Sequence, residues 1–437
     1  MALNLVSSPH LDELTAKIRL KPVPWEGYHR ADLVTSEELA LIKKVDKQPR
    51  HRIESILLTD GRMYALLYMR LLKNLQRIDT MQSILVHISD ALTDHDERIP
   101  LFQQTSDADS DLPYSPLLRA LETQDEFVQL KAAQILTVLL GTEKKSVVTE
   151  KSETFLNTLS ILIQSDSPVR RDVAVQCLEA LLARHECRRM VWRIPAIIHG
   201  FVDILKSNPG PQMSYQVGFC FWLLSFDQHI AQQINTQYDV IPLLVKVAQV
   251  AVKEKVIRVI IAIFRNLVTK APSENLPAML VSQLLPFVKS LCTRKLSDDD
   301  VLEDAQFLKN ELNARFQSLT TYDEYVSELA SGHLSWTPVH ESEDFWKENA
   351  TKLNEKDNEQ LRILMRLLKE SNDPTVLAVA AHDVGQYVKH YERGKKLVAD
   401  MGGKARVMQL MSHADPDVRY RALISVQQLV SQPWITV

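Results

Sequence analysis

The sequence predicts an all-α protein, an armadillo- or HEAT-type α-solenoid, and three observations support this fold class. Glycine contributes 11 of 437 residues, which is about a third of its usual share in globular proteins. Parallel α/β folds and phosphate loops need glycine at their turns, whereas helix hairpins need little of it. The other two observations are a pair of matching segments near the C-terminus and the recurrence of their pattern through the middle of the chain.

Two C-terminal segments, which start at Val376 and Val418, look like copies of one helical unit. In each segment apolar residues follow at offsets of 4, 5, 8, 11 and 12, which lie on one face of an α-helix. These residues are Ala380, Ala381, Val384, Tyr387 and Val388 in the first copy and Ala422, Leu423, Val426, Leu429 and Val430 in the second. An Asp-Pro pair precedes each run and predicts a capped helix start. The copies are 42 residues apart, as in armadillo and HEAT repeats.

The same offsets recur in the middle of the chain. They fit helices that start at Val128, Val169 and Val256, and they fit less completely at Met213. The spacings between these four starts are 41, 44 and 43 residues. A helix pair of this kind cannot bury its apolar stripe without a neighbour. The sequence therefore predicts at least four units before the C-terminal pair.

Two irregular stretches predict how the repeats are divided. The polar stretch that begins at Ser331 and Gly332 predicts two helical-repeat domains, residues 1–331 and 332–437, and we expect Gly332 to act as the hinge. The segment at about 94–116 is rich in Asp, Ser and Pro. It predicts a mobile loop between two repeats of the N-terminal domain.

Composition and charge argue against several classes of function. The formal net charge is −4 and the isoelectric point is about 6.4, so the chain has no global positive field for nucleic acid. The four cysteines form no Cys-x-x-Cys pair, which favours a reduced compartment over a disulfide or zinc framework. The N-terminus lacks the pattern of a signal peptide, and charges interrupt the longest apolar stretch. We expect a cytoplasmic protein that reaches a membrane only through partners.

No segment carries a known catalytic or cofactor motif, so we expect no enzyme activity, no cofactor and no metal. The Gly-Gly-Lys run at 402–404 lacks the other residues of a phosphate loop and predicts a turn between helices. The His-Asp pair at 382–383 has no nucleophile implied nearby. The His-Glu-Cys run at 185–187 lacks metal-ligand spacing, and the acidic run at 298–304 lacks the glycine of a calcium loop.

Basic residues cluster in one short C-terminal region, which is the candidate partner-contact site. A solvated turn and a surface for protein contact both fit this composition, whereas the charge of the whole chain argues against nucleic acid. The residues are Arg393, Lys395, Lys396, Lys404 and Arg406.

A helical solenoid without catalytic groups is typically a binding surface. One candidate is an armadillo-type cargo or peptide-binding adaptor of the nuclear-import kind, which would carry Trp-x-x-x-Asn pairs on successive helices. Here Phe226 follows Trp222 at the fourth position, and Ala262 precedes Asn266 at the same distance. Neither pair is complete, so the sequence disfavours this adaptor.

A second candidate comes from resemblance, which several longer segments carry. They read YQVGFCFWLLSF at 215–226, WTPVHESEDFWKEN at 336–349 and VLAVAAHDVG at 376–385. From about Trp25 onward the chain resembles the H-subunit family of vacuolar-type proton-translocating ATPases. The resemblance implies a regulatory, non-catalytic subunit with a long N-terminal and a smaller C-terminal helical-repeat domain.

The same resemblance implies partners, role and location. In that family the protein sits between the ATP-hydrolysing sector and the membrane sector, where it contacts a peripheral stalk and the cytosolic part of the large membrane-sector subunit. It is needed for coupled ATP hydrolysis and proton transport in the assembled pump. In the detached sector it silences ATP hydrolysis, which implies contact with rotor or catalytic subunits. The implied location is the cytosolic face of the vacuolar or endomembrane system.

Overall fold

The computed structural model describes residues 8–143, 150–294, 298–318 and 322–431. Within these ranges the chain forms α-helices, short 3-10 helices and turns, and no strand. This confirms the all-α, solenoid-like fold class. Ser297, which directly precedes the acidic run at 298–304, lies outside the described ranges.

The chain divides into two compact units, Met1–Leu308 and Lys309–Val437. The helix α19 (Asp299–Ser318) contains the point of division. The helices before it are α1 (Pro9–Arg19), α2 (Trp25–Arg30), α3 (Ser36–Val45), α4 (Arg50–Asn74), α5 (Ile78–Leu92), α6 (Ile99–Gln103), α7 (Tyr114–Leu121), α8 (Glu126–Gly141), α9 (Glu150–Ile163), α10 (Pro168–Leu182), α11 (His185–Trp192), α12 (Pro195–Lys206), α13 (Pro211–Leu224), α14 (Gln228–Tyr238), α15 (Val240–Val250), α16 (Glu254–Lys270), α17 (Pro272–Val281) and α18 (Leu284–Leu291).

The first unit contains a row of helices that pack on one another in chain order: α5, α8, α10, α13 and α16. Four of these helices carry the repeated offsets. The template residues from Val128 and from Val256 are all buried, whereas Val169 and Ala180 in α10 are half-buried. The start of α8 is capped, since Asp125 accepts from the Val128 amide at 2.9 Å, whereas α5, α13 and α16 start without a side-chain cap.

The second unit continues with shorter helices after α19. They are α20 (Tyr322–Ser331), α21 (Pro338–Glu341), α22 (Glu343–Asn349), α23 (Glu355–Glu370), α24 (Pro374–His390), α25 (Gly394–Asp400), α26 (Gly403–Leu410) and α27 (Pro416–Val430). The two predicted repeat helices, α24 and α27, pack against each other. Tyr325, Trp346 and Tyr387 are among the largest side chains buried in this core.

The repeated template holds fully in α24 and only partly in α27. All template positions of α24 are buried, and so are Val418, Ala422 and Leu429 in α27. Leu423 and Val430 are 43% and 57% exposed, so their predicted place in the core is wrong. The reason is that α27 packs mainly through the one face that meets α24 and α26. The residues at offsets of 5 and 12, Leu423 and Val430, lie outside that face.

The segment at 94–116 forms short helices where the sequence predicted a loop. Two 3-10 helices, Asp96–Arg98 and Gln104–Asp107, flank α6. Ile99, Phe102 and Leu112 are buried, and these apolar side chains hold the segment on the core although polar residues dominate its composition. Lys73 also binds Asp109 and Asp111, at 2.8 Å in each case. The mobility of this segment stays a prediction.

The predicted boundary and hinge at Gly332 also stay predictions. Gly332 has a φ of +75°, a conformation that favours glycine. The helix before it, α20, buries Tyr325 and Leu329 in the core of the second unit. The compact units divide earlier in the chain, after Leu308.

Candidate functional site

Two short helices, α25 and α26, carry the basic residues of the candidate partner-contact site, except for Arg393, which directly precedes α25. The turn between them needs glycine, because Gly402 has a φ of +76°. Gly403, the next residue, is buried, and a Cβ there would lie 2.5 Å from the sulfur of Met365 and 2.9 Å from Cγ1 of Val398. Both glycines therefore allow this turn to lie close against the core of the second unit.

The structure separates the five predicted contact residues into two groups. Arg393, Lys396 and Lys404 have exposed side chains. Lys395 instead donates through Nζ to the backbone carbonyl of Ser431 at 2.6 Å. It therefore ties α25 to the end of α27.

Arg406 belongs with Lys395. Its Nε donates to the carbonyl oxygen of Leu368 at 3.1 Å. That carbonyl lies in the last turn of α23, where backbone oxygens have no partner within the helix. Arg406 therefore stabilises the junction of α23 and α26, and its charge is less available to a partner.

One further cation lies beside this turn. The ammonium of Lys369, at the end of α23, lies 3.4 Å from the position that a Cβ on Gly402 would occupy, and its side chain is exposed. Sequence reasoning missed Lys369 because it is separated from the basic cluster along the chain and only packing brings the two together. We call Lys369, Arg393, Lys396 and Lys404 the basic surface.

Beneath the surface of the second unit lies a buried polar cluster. Its centre is His340, whose Nδ1 donates to Asp383 at 2.8 Å and whose Nε2 donates to Glu328 at 3.2 Å. The hydroxyl of Tyr325 donates to Asp383 at 3.1 Å. The side chains of His340 and Asp383 are fully buried. The cluster joins α20, α21 and α24 into one core.

The electrostatics of this cluster favour a protonated imidazole. Burial alone lowers the pKa of His340, but the Asp383 and Glu328 carboxylates outweigh it and raise the pKa to about 10. Burial raises the pKa of Glu328, and hydrogen bonds from His340 and the Ser335 amide outweigh that effect and lower it. The imidazolium therefore offsets much of the charge of the two carboxylates inside the core.

The His-Asp pair at 382–383 does not form an oriented base. Asp383 points to His340, whereas His382 makes a hydrogen bond of 3.0 Å through Nε2 with the carbonyl oxygen of His340. A carbonyl only accepts, so Nε2 of His382 carries the proton. Burial lowers the pKa of His382. These contacts give the pair a role in packing.

The Trp and Asn residues tested against the import adaptor are used within the fold. Asn266 donates through Nδ2 to the hydroxyl of Ser225 at 2.9 Å. The ring of Trp222 lies 4.8 Å from the ring of Phe226, centroid to centroid, in an edge-to-face contact. Asn266 therefore links α16 to the end of the neighbouring repeat helix, α13, and does not stand with Trp222 as a peptide clamp.

None of the helices in the described ranges is long and apolar enough to cross a membrane.

Two family models, both for the H subunit of the V-ATPase, match residues 9–312 and 318–434. The chain belongs to the H-subunit family of V-ATPases. Family membership implies other V-ATPase subunits as partners, and it replaces the import adaptor as the interpretation of this solenoid.

Relatives in the H-subunit family match over nearly the whole chain. The H protein of the V-type proton ATPase of Drosophila melanogaster is 33% identical over 429 residues, which cover 97% of this chain and 90% of the relative. A probable V-type proton ATPase H protein of Caenorhabditis elegans is 30% identical, with coverages of 98% and 94%. Its probable counterpart in Oryza sativa is also 30% identical, with coverages of 96% and 97%.

Proposed function

We propose that this chain is a regulatory, non-catalytic subunit of the peripheral ATP-hydrolysing sector of a V-type proton pump. The observation that carries the proposal is the match to the H-subunit family models across residues 9–312 and 318–434. In the assembled pump the chain supports coupled ATP hydrolysis and proton transport. In the detached sector it silences ATP hydrolysis. It does not hydrolyse ATP by itself, and it acts through contacts with other subunits.

The proposed partners are those that the family resemblance implies. They are the peripheral stalk, the cytosolic part of the large membrane-sector subunit, and the rotor or catalytic subunits of the detached sector. The proposed location is the cytosolic face of the vacuolar or endomembrane system. The chain reaches the membrane only as part of the complex.

The basic surface is the proposed contact for control. Its four cations are exposed, and exposed charges mainly steer association and set the register of a complex. The partner is an acidic face of a rotor or catalytic subunit. Such a contact weakens with salt, since the screening length falls to about 8 Å at physiological ionic strength.

The two domains divide the work in this proposal. Residues 1–331 attach the chain and residues 332–437 control ATP hydrolysis, with Gly332 as the hinge. A control element of this kind needs two orientations, one permissive and one inhibitory. A fragment that ends at residue 331 would carry α20 without the core that buries Tyr325 and Leu329. Experiments on control are therefore best made with the full chain.

The test uses a detached ATP-hydrolysing sector purified without its own H protein. Added full-length chain is expected to lower ATP hydrolysis in a saturable way and to co-sediment with the sector, while the chain alone shows no hydrolysis. Co-sedimentation without any loss of hydrolysis would contradict the regulatory role. Failure to bind the sector, together with capture of basic import cargo, would favour the adaptor.

A further inference from the structure

A polar cavity of about 520 Å³ lies in the first unit between α1, α4, α5 and α8. Its lining is dominated by charged and hydroxyl side chains. The hydroxyl groups come from Thr15, Ser89 and Thr93. Pockets that hold small molecules span roughly 300 to 1,000 Å³, so the cavity has the size of a metabolite site.

Lys131, from α8, lines this cavity and is only 5% exposed. Among residues 8–143, 150–294, 298–318 and 322–431, none forms a hydrogen bond or an ion pair with its ammonium. It does lie near the ring of Phe127, with Nζ 6.0 Å from the centroid. A buried ammonium without an anion is costly. Lys131 is therefore a cation that lacks a counter-ion within the described part of the chain.

Two of the carboxylates at the cavity, those of Asp90 and Glu54, already have partners. Arg19 binds both carboxylate oxygens of Asp90, with Nε 3.1 Å from Oδ2. Glu54 accepts from Arg98 and lies 3.1 Å from Nε2 of His95. Neither carboxylate is left over to neutralise Lys131.

Asp12 is the remaining carboxylate on the wall, and its side chain is exposed. Burial lowers the pKa of Lys131, and the fields of Asp12 and Asp90 oppose that change. The carboxylates of the wall therefore help to keep the ammonium charged without forming an ion pair with it.

We propose that this cavity binds a small polar oxyanion, with a single carboxylate or phosphate-ester group paired to Lys131. A lysine binds such a group as a point charge and does not impose the planar fork of arginine. The carboxylates of the wall limit the ligand to a low negative charge, because a second unpaired charge would be repelled. Thr15 and Thr93 already donate their hydroxyl protons to the backbone carbonyls of Leu11 and Ser89, so their oxygens suit a ligand that also carries a hydroxyl group to donate. The site is independent of the proposed pump function.

The experiment uses the full-length chain with lactate or dimethyl phosphate as probes, each of which carries a single negative charge, and chloride keeps the ionic strength constant. Thermal unfolding and isothermal titration are measured for the wild type and Lys131→Met. Methionine has a similar length and no charge, so the variant removes the buried ammonium without a large cavity. Lys206→Met, an exposed change on α12, is the matched control.

We expect at least one probe to raise the melting temperature of the wild type and of Lys206→Met in a saturable way. Lys131→Met should bind the same probe at least about tenfold more weakly, as expected for loss of a charge-assisted contact. Without probe, Lys131→Met should melt at or above the wild-type temperature. A preference for one probe identifies the group as a carboxylate or a phosphate.

Two results would overturn the proposal. One is the absence of saturable binding of either probe to the wild type. The other is equal binding by the wild type and Lys131→Met, which indicates a general effect of the salt on the surface. If Lys131→Met does not fold, Lys131→Gln replaces it, and the same comparisons decide.

Discussion

The imidazole of His340 and the carboxylate of Asp383 lie 2.8 Å apart, Nδ1 to Oδ2, with both side chains fully buried in the second unit. His340 also reaches Glu328 through its other nitrogen. Removing one member of a buried ion pair typically lowers the free energy of unfolding by about 3 to 5 kcal/mol, because the remaining charge has no partner. Loss of either partner is therefore expected to destabilise the junction of α21 and α24, and the protonation of His340 makes the second unit sensitive to pH.

The first prediction concerns this pH dependence. The pKa of His340 is raised to about 10, whereas a histidine in an unfolded chain titrates near 6.5. A raised pKa means that the protonated group stabilises the folded state fully below about pH 6.5. This contribution is lost as the pH rises toward 10. Urea unfolding of the wild type should show a decline of roughly 1 kcal/mol per pH unit in this interval.

His340→Gln tests the assignment of that decline. The variant should be much less stable than the wild type near pH 6.5. The difference between their free energies of unfolding should become smaller as the pH rises. His333→Gln, an exposed change in the same unit, should follow the wild-type curve. A decline of the same slope in His340→Gln would place the titrating group elsewhere.

The second prediction compares two leucines of α27. Leu429 is 7% exposed and Leu423 is 43% exposed. Leu429→Asp should lower the free energy of unfolding by roughly 3 kcal/mol or more, because it buries an unpaired carboxylate. Leu423→Asp should cost only about 0.5 to 1 kcal/mol. Chemical unfolding followed by circular dichroism measures both, and equal effects would mean that α27 does not pack through the face of Leu429.

The third prediction concerns the close approach of α24 and α27. A Cβ on Gly385 would lie 3.2 Å from the Cα of Ser425 and 3.3 Å from its Cβ. Backbone atoms yield less readily than the end of a side chain, so Gly385→Ala should destabilise the chain by about 1 to 3 kcal/mol.

Gly210→Ala is the matched control for this change. A Cβ on Gly210 would meet nothing within 4 Å, so its stability should change by less than about 1 kcal/mol. Thermal unfolding of the two variants is the measurement. A Gly385→Ala variant as stable as the wild type would show that the two helices can separate at low cost.

The fourth prediction tests the basic surface. The combined change of Arg393, Lys396 and Lys404 to Glu should weaken silencing of the detached sector and leave the melting temperature nearly unchanged. Exposed charge changes usually shift stability by less than about 0.5 kcal/mol each. The assay is ATP hydrolysis by a sector that lacks its H protein, titrated with each variant. Raising the salt concentration should also weaken silencing by the wild type, because salt screens the charges of the basic surface.

Two controls give this experiment its specificity. The combined change of Lys206, Lys246 and Lys289 to Glu reverses three exposed lysines of the first unit and should silence as the wild type does. Lys395→Met removes a hydrogen bond to the backbone carbonyl of Ser431. It should lower the melting temperature and leave silencing nearly unchanged. Normal silencing by the Arg393, Lys396 and Lys404 variant would indicate that these residues form a solvated turn and do not contact the partner.

Much of the fold was predictable from the sequence because each helix of a repeat has an apolar spacing that is visible within a short segment of the chain. The offsets from Val128, Val256 and Val376 report one helix face, and all of those residues are buried. The caps at Asp373 and Asp415 are local as well, and each side chain accepts from an amide of the first helical turn. The offsets misjudged Leu423 and Val430, because periodicity shows which residues share a face and not whether a neighbouring helix covers it.

For the candidate sites, the sequence determined the residue types and the tertiary structure decided their roles. Five basic residues were visible along the chain, but only packing separates Lys395 and Arg406, which hold backbone carbonyls, from the exposed cations, and only packing adds Lys369. The partner of Asp383 proved to be His340, 43 positions away, and not its neighbour His382. Lys131 looked like any other helix lysine until α1, α4, α5 and α8 enclosed it. Sequence records spacing along one helix, whereas charge compensation depends on distances between helices, which exist only in the folded chain.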